Sequence, residues 1–295
     1  MKTNLTIKDS SFAFVSAFLF CYFFSAFMLV LLSIFLHLNI SDFNIEAFSE
    51  TAIGNLFLSV SLQLGLLLVF FFLNRNKDNK ITSTFSWKKL GLYSLISVVS
   101  FFLLSPIISC SEKVLNKLGL VSSGIEFDLN IKNYFLSLIA MVLFPAICEE
   151  LLFRGLIFKG MKQHGKNLSI TLSAIAFSIF HMSIFQTIYP LLFGLLLGII
   201  MYKENNIFYT ITMHFINNFL SLTFMFLGID FFVNHWLFFV LAILLFSLFL
   251  FGLIKLIKST KETSKEILNK SHIVYLTISF AIMIVLWIIL NVYGK

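Results

Sequence analysis

Long apolar runs with few or no charged residues dominate this sequence and constrain its fold more than any other feature. A helix needs roughly 20 apolar residues to cross about 30 Å of hydrocarbon, and a helix satisfies its own backbone hydrogen bonds in lipid. Nine runs approach this length and cover residues 11–38, 52–73, 91–110, 134–158, 168–185, 187–202, 206–227, 235–257 and 272–293. The sequence therefore predicts an all-α, polytopic integral membrane helical bundle with about eight to nine transmembrane helices.

The composition excludes several other classes of protein. Hydrophobic residues make up 59% of the chain and charged residues only 12%, whereas soluble domains contain about 45–50% apolar and about 25% charged residues. This leaves too little polar surface for a soluble enzyme or a disordered chain. The three cysteines, Cys21, Cys110 and Cys148, are isolated in apolar segments, so neither a disulfide framework nor a zinc ribbon is predicted.

The basic residues predict the orientation in the membrane. Sixteen of the 21 basic residues lie in the N-terminal segment or in the loops after the second, fourth, sixth and eighth runs. Cytoplasmic loops of membrane proteins carry such an excess of Lys and Arg. We therefore interpret the net charge of +7 as topological, with the lipid bilayer as partner and no nucleic acid. The prediction is a multi-pass protein of the cell membrane with a cytoplasmic N-terminus.

Three of the runs contain polar residues that membrane helices rarely carry, since a central charge costs about 2.5–3.5 kcal/mol on insertion scales. They are Glu149, Glu150 and Arg154 in the fourth run, His181 in the fifth, and His214, Asn217 and Asn218 in the seventh, with Pro145 one turn before Glu149 and Phe177 one turn before His181. Glu150 and Arg154 are spaced i,i+4 and share a helix face, which predicts an ion pair. Glu149 points roughly 100° away and has no partner on its own helix.

These polar groups are predicted to meet in one cavity, because a rise of about 1.5 Å per residue places them at overlapping depths. A buried carboxylate can act as general base, an imidazole can hold water, and a second imidazole with an amide can stabilise an oxyanion. This set suits hydrolysis of an amide. Glu149, His181 and His214 could instead bind Zn²⁺, so a zinc mechanism and a metal-independent mechanism both stay open.

Three motifs resemble those of the CPBP (Abi) family, which includes CAAX proteases and bacteriocin-processing or self-immunity proteins. The family pattern is EExxxR, then FxxxH, then HxxxN or HxxxD, each on a membrane helix. The sequence meets it with Glu149-Glu150-Leu-Leu-Phe-Arg154, Phe177-Ser-Ile-Phe-His181 and His214-Phe-Ile-Asn-Asn218. The resemblance covers about residues 134–222.

The resemblance implies an intramembrane endopeptidase similar to the CAAX prenyl protease of the Ras-converting-enzyme type, acting on a peptide or membrane-protein substrate. It implies one role for each motif residue: Glu149 activates water, His181 is its partner, His214 and Asn218 stabilise the oxyanion, and Glu150 and Arg154 support the site. The chain then divides into N-terminal helices and an extracytoplasmic loop (1–130), a CPBP-like catalytic core (131–225) and C-terminal helices (226–295).

Two other functions remain alternatives. A non-catalytic immunity or regulatory protein of the same fold would carry the same residues. A transporter with a proton relay would also bury Glu and His, but it predicts an internal repeat that the sequence lacks. Among the remaining features, Gln63 and Asn291 are interpreted as packing or end effects, and Gly194 with Gly198 as close helix packing.

Overall fold

The computed structural model describes residues 2–36, 44, 47–48, 51–120, 131–229, 235–262 and 266–292. These residues form helices joined by short connections, without a named strand, which confirms the predicted all-α class. The nine helical rods within the described residues are α1 (Ile7–Phe35), α2 (Ala52–Asn74), α3 (Trp87–Lys117), α4 (Ile131–Lys162), α5 (Lys166–Phe180), α6 (Ile188–Glu204), α7 (Ile207–Phe226), α8 (Trp236–Ser259) and α9 (Lys270–Val292).

Six of the described helices are long and apolar enough to cross a membrane, namely α1, α2, α3, α4, α8 and α9. The predicted count of eight to nine is therefore not confirmed. Helix α5 is apolar but has only 15 residues, and α6 has 17. Helix α7 has 20 residues, but His214, Asn217 and Asn218 lower its hydropathy. Helices that pack inside a bundle do not need to be apolar on every side.

Helix α4 lies at the centre of the bundle. Of its most apolar stretch, 44% is buried, against 11% for α9. It packs against α1, α2, α5 and α7, whereas α8 packs mainly on α3 and α9 mainly on α1. Two π-helical segments, Leu138–Leu143 and Phe153–Ile157, interrupt α4 on either side of the glutamate pair. Such segments occur frequently at functional sites, so we expect α4 to carry residues of the functional site.

The predicted cytoplasmic loops lie together at one end of the described bundle. Their contacts join the N-terminal segment and the loops after α2, α4, α6 and α8 through Lys77 to Asp9, Lys159 to the Lys80 carbonyl, Lys89 to Glu204, and Lys166 to the Ile257 and Thr260 carbonyls. This arrangement agrees with the predicted alternation of the loops. Which side of the membrane this end faces stays a prediction.

Two predicted boundaries differ from the structure. Helix α3 continues past residue 110 to Lys117, because residues 111–117 contain good helix formers such as Glu112 and Lys113. The rest of the predicted extracytoplasmic loop, residues 121–130, lies outside the described residues. Helix α5 ends at Phe180, although the fifth apolar run extends to residue 185, since apolar composition alone does not require a helix to continue.

Helices α5 and α6 approach closely where α6 carries glycine. A Cβ atom at Gly194 would lie 3.2 Å from Phe177 Cδ1 and 3.3 Å from Ala174 Cα. At Gly198 it would lie 3.3 Å from a methyl group of Ile170, with its other neighbours at 3.5 Å or more. The interpretation of both glycines as close-packing residues is confirmed.

We expect Gly194→Ala to destabilise the protein by about 1–3 kcal/mol, because the added methyl group meets an aromatic ring and backbone that cannot move independently. Alanine also gains about 1 kcal/mol in helix propensity over glycine, which offsets part of this loss. Gly198→Ala is the matched control and should show little or no loss, since an isoleucine methyl group can give way. Thermal unfolding in detergent checks both, and equal melting temperatures for the two variants would contradict the packing argument.

Candidate active site

The Glu150–Arg154 pair forms the buried base of the site. Arg154 Nη1 lies 2.9 Å from Glu150 Oε1, and both side chains are fully buried. Arg154 Nη2 donates to the Gly194 carbonyl at 3.2 Å, and the guanidinium carbon lies 4.5 Å from the centre of the Phe177 ring. The predicted ion pair is present, and it also ties α4 to α5 and α6.

Glu149 is the carboxylate that no cation neutralises in the described structure. Its side chain is 12% exposed, and Oε1 accepts a hydrogen bond from Gln63 Nε2 at 3.1 Å. The other oxygen, Oε2, lies 4.0 Å from His214 Nε2, which is too long for a direct hydrogen bond. Glu149 thus has a neutral partner on α2 that the interpretation of Gln63 as a packing residue missed.

His181 directly follows the last residue of α5. Its Nδ1 lies 2.8 Å from the Phe177 carbonyl, and because a carbonyl only accepts, Nδ1 carries the hydrogen and neutral Nε2 remains an acceptor. The Phe177 ring meets the His181 ring edge-on at 4.9 Å and the His214 ring at 5.6 Å. Phe177 therefore positions both imidazoles, which gives its place in the FxxxH motif a physical meaning.

The backbone after His181 is irregular, and Met182 has a φ of 50°. Irregular backbone at membrane depth is tolerated only where protein or a polar cavity satisfies its polar groups. Asn291 on α9 does this, since its Oδ1 accepts from the Ile184 N–H at 2.8 Å and its Nδ2 donates to the Met182 carbonyl at 3.2 Å. The interpretation of Asn291 as packing or an end effect missed this role, although a single amide in an apolar run was the available signal.

His214 bridges the two glutamates. Its Nδ1 lies 3.1 Å from Glu150 Oε1, while its Nε2 faces Glu149. The residue is 3% exposed, so its imidazole has little contact with bulk solvent. The structure thus brings His214 together with Glu149 and Glu150, and links it to His181 through Phe177.

A cavity of about 160 Å³ opens beside Glu149. Since liquid water occupies about 30 Å³ per molecule, the cavity has room for several waters. Its lining residues come from α1, α2, α4, the end of α5 and the connection from α5 to α6; they are Cys21, Tyr22, Leu62, Gln63, Leu66, Glu149, Phe180, His181 and Gln186. Of the predicted site residues, Glu149 and His181 line this cavity.

Asn218 lies elsewhere in the site. Its Nδ2 donates to the Met141 carbonyl on α4 at 3.2 Å. Pro145 has no N–H and cannot donate the α-helical hydrogen bond to that carbonyl, so the Asn218 amide supplies one from α7. The neighbouring Asn217 accepts from the Tyr189 hydroxyl. The predicted meeting of Asn218 with Glu149 and His181 in the cavity is not seen.

We expect Asn218→Leu to lower the free energy of unfolding by about 1 kcal/mol, because the Met141 carbonyl loses a donor in a buried environment. Adding Pro145→Ala supplies a backbone N–H four residues after Met141 and should recover most of this loss. Thermal unfolding of the single and double variants in detergent measures the effect. An unchanged melting temperature for Asn218→Leu would show that this hydrogen bond does not support α4.

A zinc ion would need about three protein ligands at a catalytic site. Among the residues that the structure describes, no group of three or more His, Cys, Asp or Glu side chains is arranged to hold a metal ion. His214 Nδ1 is engaged with Glu150 and His181 Nδ1 with a carbonyl, which leaves Nε2 of each imidazole as the ring nitrogen available to a ligand. The predicted ligand set of Glu149, His181 and His214 is not such a group in this arrangement, and a role for Zn²⁺ stays a prediction.

Fold and site together define a multi-pass α-helical membrane protein with a cavity between its helices that has room for several waters. Residues 131–220 match the family described as Rce1-like, type II CAAX prenyl endopeptidase. This match confirms the resemblance predicted from the motifs and supports an assignment to the CPBP, or CAAX protease, family. No curated protein and no solved structure was found to match. All three motifs lie inside the matched range, whereas Gln63 and Asn291 lie outside it.

Proposed function

We propose that the protein is an intramembrane endopeptidase in which Glu149 activates water to hydrolyse a peptide bond. The observation that carries this proposal is the different environment of two adjacent carboxylates. Glu150 is neutralised by Arg154, while Glu149 lines a cavity with His181. The family match supports it, because the Rce1-like family is one of prenyl endopeptidases. A protein of this kind works within the lipid bilayer on a peptide or protein substrate.

In the proposed reaction a water molecule in the cavity donates one hydrogen bond to Glu149 and the other to His181 Nε2. Glu149 takes a proton as the water oxygen attacks the carbonyl carbon of the substrate. The resulting oxyanion is stabilised by a hydrogen bond from the His214 imidazole, whose ring Glu150 orients through Nδ1. When the C–N bond breaks, Glu149 returns the proton to the leaving amine. Asn218 contributes by supporting α4 at Met141.

No step of the proposed reaction uses a metal, since no group of three His, Cys, Asp or Glu side chains within the described part of the chain is arranged to hold one. We therefore expect cleavage to persist after prolonged incubation with a strong chelator. The measurement is the rate of product formation before chelation, after it, and after addition of Zn²⁺. Loss of activity that Zn²⁺ restores would contradict the glutamate-dependent mechanism in favour of a metalloprotease.

The test of the proposed function compares isolated membranes that contain the wild-type protein, Glu149→Ala, or neither. Mass spectrometry of newly formed peptide N-termini should reveal products that only the wild-type membranes generate. Farnesylated and unmodified CAAX peptides added to the same membranes determine whether prenylated tails are substrates. Identical products in wild-type and Glu149→Ala membranes would contradict an enzymatic role and favour the non-catalytic immunity or regulatory alternative.

A further inference from the structure

Gln63 on α2 lies outside the family-matched range and contacts a proposed catalytic group. Its Nε2 donates to Glu149 Oε1 at 3.1 Å across 86 residues of sequence. We infer that Gln63 is a positioning residue for hydrolysis, which holds Glu149 so that one oxygen, Oε2, is left free for water. This inference rests on the proposed function.

The chemistry of the amide fits this role better than that of a cation. An arginine or lysine would form a charge-assisted hydrogen bond, which is roughly twice as strong as a neutral one, and would neutralise the carboxylate as Arg154 does for Glu150. A neutral amide fixes the direction of Glu149 without removing its capacity to accept a proton. The two adjacent glutamates thus differ in the charge of their partners.

The amide oxygen of Gln63 supports the same role. Gln63 Oε1 is buried, and no described residue donates to it, while the side chain lines the cavity. A buried acceptor without a partner costs about 1–3 kcal/mol, and a site that keeps such a group is commonly one that holds water. Gln63 therefore presents an acceptor to cavity water as well as a donor to Glu149.

The packing of α2 makes this contact rigid. A Cβ atom at Gly65 would lie 2.7 Å from Cys21 Cα, so the backbones of α1 and α2 touch within one turn of Gln63. Cys21, Leu62 and Leu66 line the same cavity. The N-terminal helices therefore form one wall of the site and fix the depth at which Gln63 meets α4.

The experiment uses the full-length protein in membranes, and the probe is a total membrane peptide extract. The rate of cleavage is measured over a range of dilutions of the extract, which gives the maximal rate and the half-saturating amount separately. Gln63→Met keeps the length of the side chain and removes the hydrogen bond, while Gln63→Glu keeps the shape and removes the donor. Both should lower the maximal rate about ten- to a hundredfold, as expected for a misoriented catalytic group, with a nearly unchanged half-saturating amount.

The matched control is Ser61→Ala. Ser61 lies on the same helix, is buried, and donates to the Phe57 carbonyl within α2 at 2.7 Å. It loses a hydrogen bond without touching Glu149, so its maximal rate should equal that of the wild type. Thermal unfolding should place Gln63→Met close to the wild type, which separates positioning from a general loss of structure.

A second readout separates positioning from an independent effect. On the Glu149→Gln background, Gln63→Met should cause no further loss, because the charge that Gln63 orients is already absent. A further loss of the same factor would overturn the inference, as would a wild-type maximal rate for Gln63→Met beside an inactive Glu149→Gln. Full activity of Glu149→Gln would instead contradict the proposed function itself.

Discussion

Glu149→Gln is expected to lower the maximal rate of peptide cleavage by about 10²–10⁴-fold, the range that a positioned general base contributes. The substitution keeps the shape of the side chain and the acceptor oxygen that contacts Gln63. It removes only the negative charge and the ability to take a proton from water. The rate of Glu149-dependent product formation in membranes measures this effect.

The stability of the same variant provides an independent check. Glu149 is only 12% exposed and has no cationic partner among the described side chains except the imidazole at 4.0 Å. Removing a poorly solvated charge should leave the melting temperature unchanged or raise it, as is common when an active-site strain is relieved. A large loss of stability together with lost activity would indicate a structural role for Glu149 and would contradict its assignment as the base.

Arg154→Met is expected to lower the free energy of unfolding by about 3–5 kcal/mol, because it leaves the Glu150 carboxylate buried without a cation. The same change removes the hydrogen bond to the Gly194 carbonyl and the contact with the Phe177 ring. The yield of monodisperse protein after detergent extraction and its melting temperature measure the loss. Arg154→Lys should recover only part of it, since an ammonium group cannot make both contacts in one plane.

Two variants keep this prediction testable if Arg154→Met fails to fold. The double variant Glu150→Gln with Arg154→Met removes both charges and should be more stable than Arg154→Met alone. Lys89→Met breaks the ion pair with Glu204, in which Lys89 is 50% and Glu204 8% exposed, and should cost less stability than Arg154→Met because Lys89 itself is well solvated and the Tyr93 hydroxyl still donates to Glu204. If Arg154→Met is as well tolerated as Lys89→Met, the Glu150–Arg154 pair does not hold the site together.

The parts of the site that could be predicted from the sequence are those set by neighbours along one helix. The pairing of Glu150 with Arg154 follows from their i,i+4 spacing, and the structure shows it. The absence of a partner for Glu149 on its own helix follows from the same geometry. The contact of Phe177 with His181 likewise lies within a single turn at the end of α5.

The parts that could not be predicted depend on how separate helices rotate and how deep they lie. Gln63 reaches Glu149 from α2, Asn291 reaches the backbone after His181 from α9, and Asn218 contacts Met141 rather than the cavity. Lipid tails are as apolar as the interior of the bundle, so the pattern of apolar residues does not indicate which face of α2 or α9 turns inward. The amide of Gln63 in α2 and that of Asn291 in α9 were the available signals of the inward faces.

The sequence by itself determined the membrane-embedded helical class and the residues with the capacity for hydrolysis, because hydropathy and i,i+4 spacing are properties of short segments. Tertiary structure alone decided which side chains of other helices contact the two glutamates, where α5 ends, and which residues line the cavity. These features require contacts between segments far apart in the chain. Such contacts arise from the packing of α4 among its neighbours, and no local pattern specifies that packing.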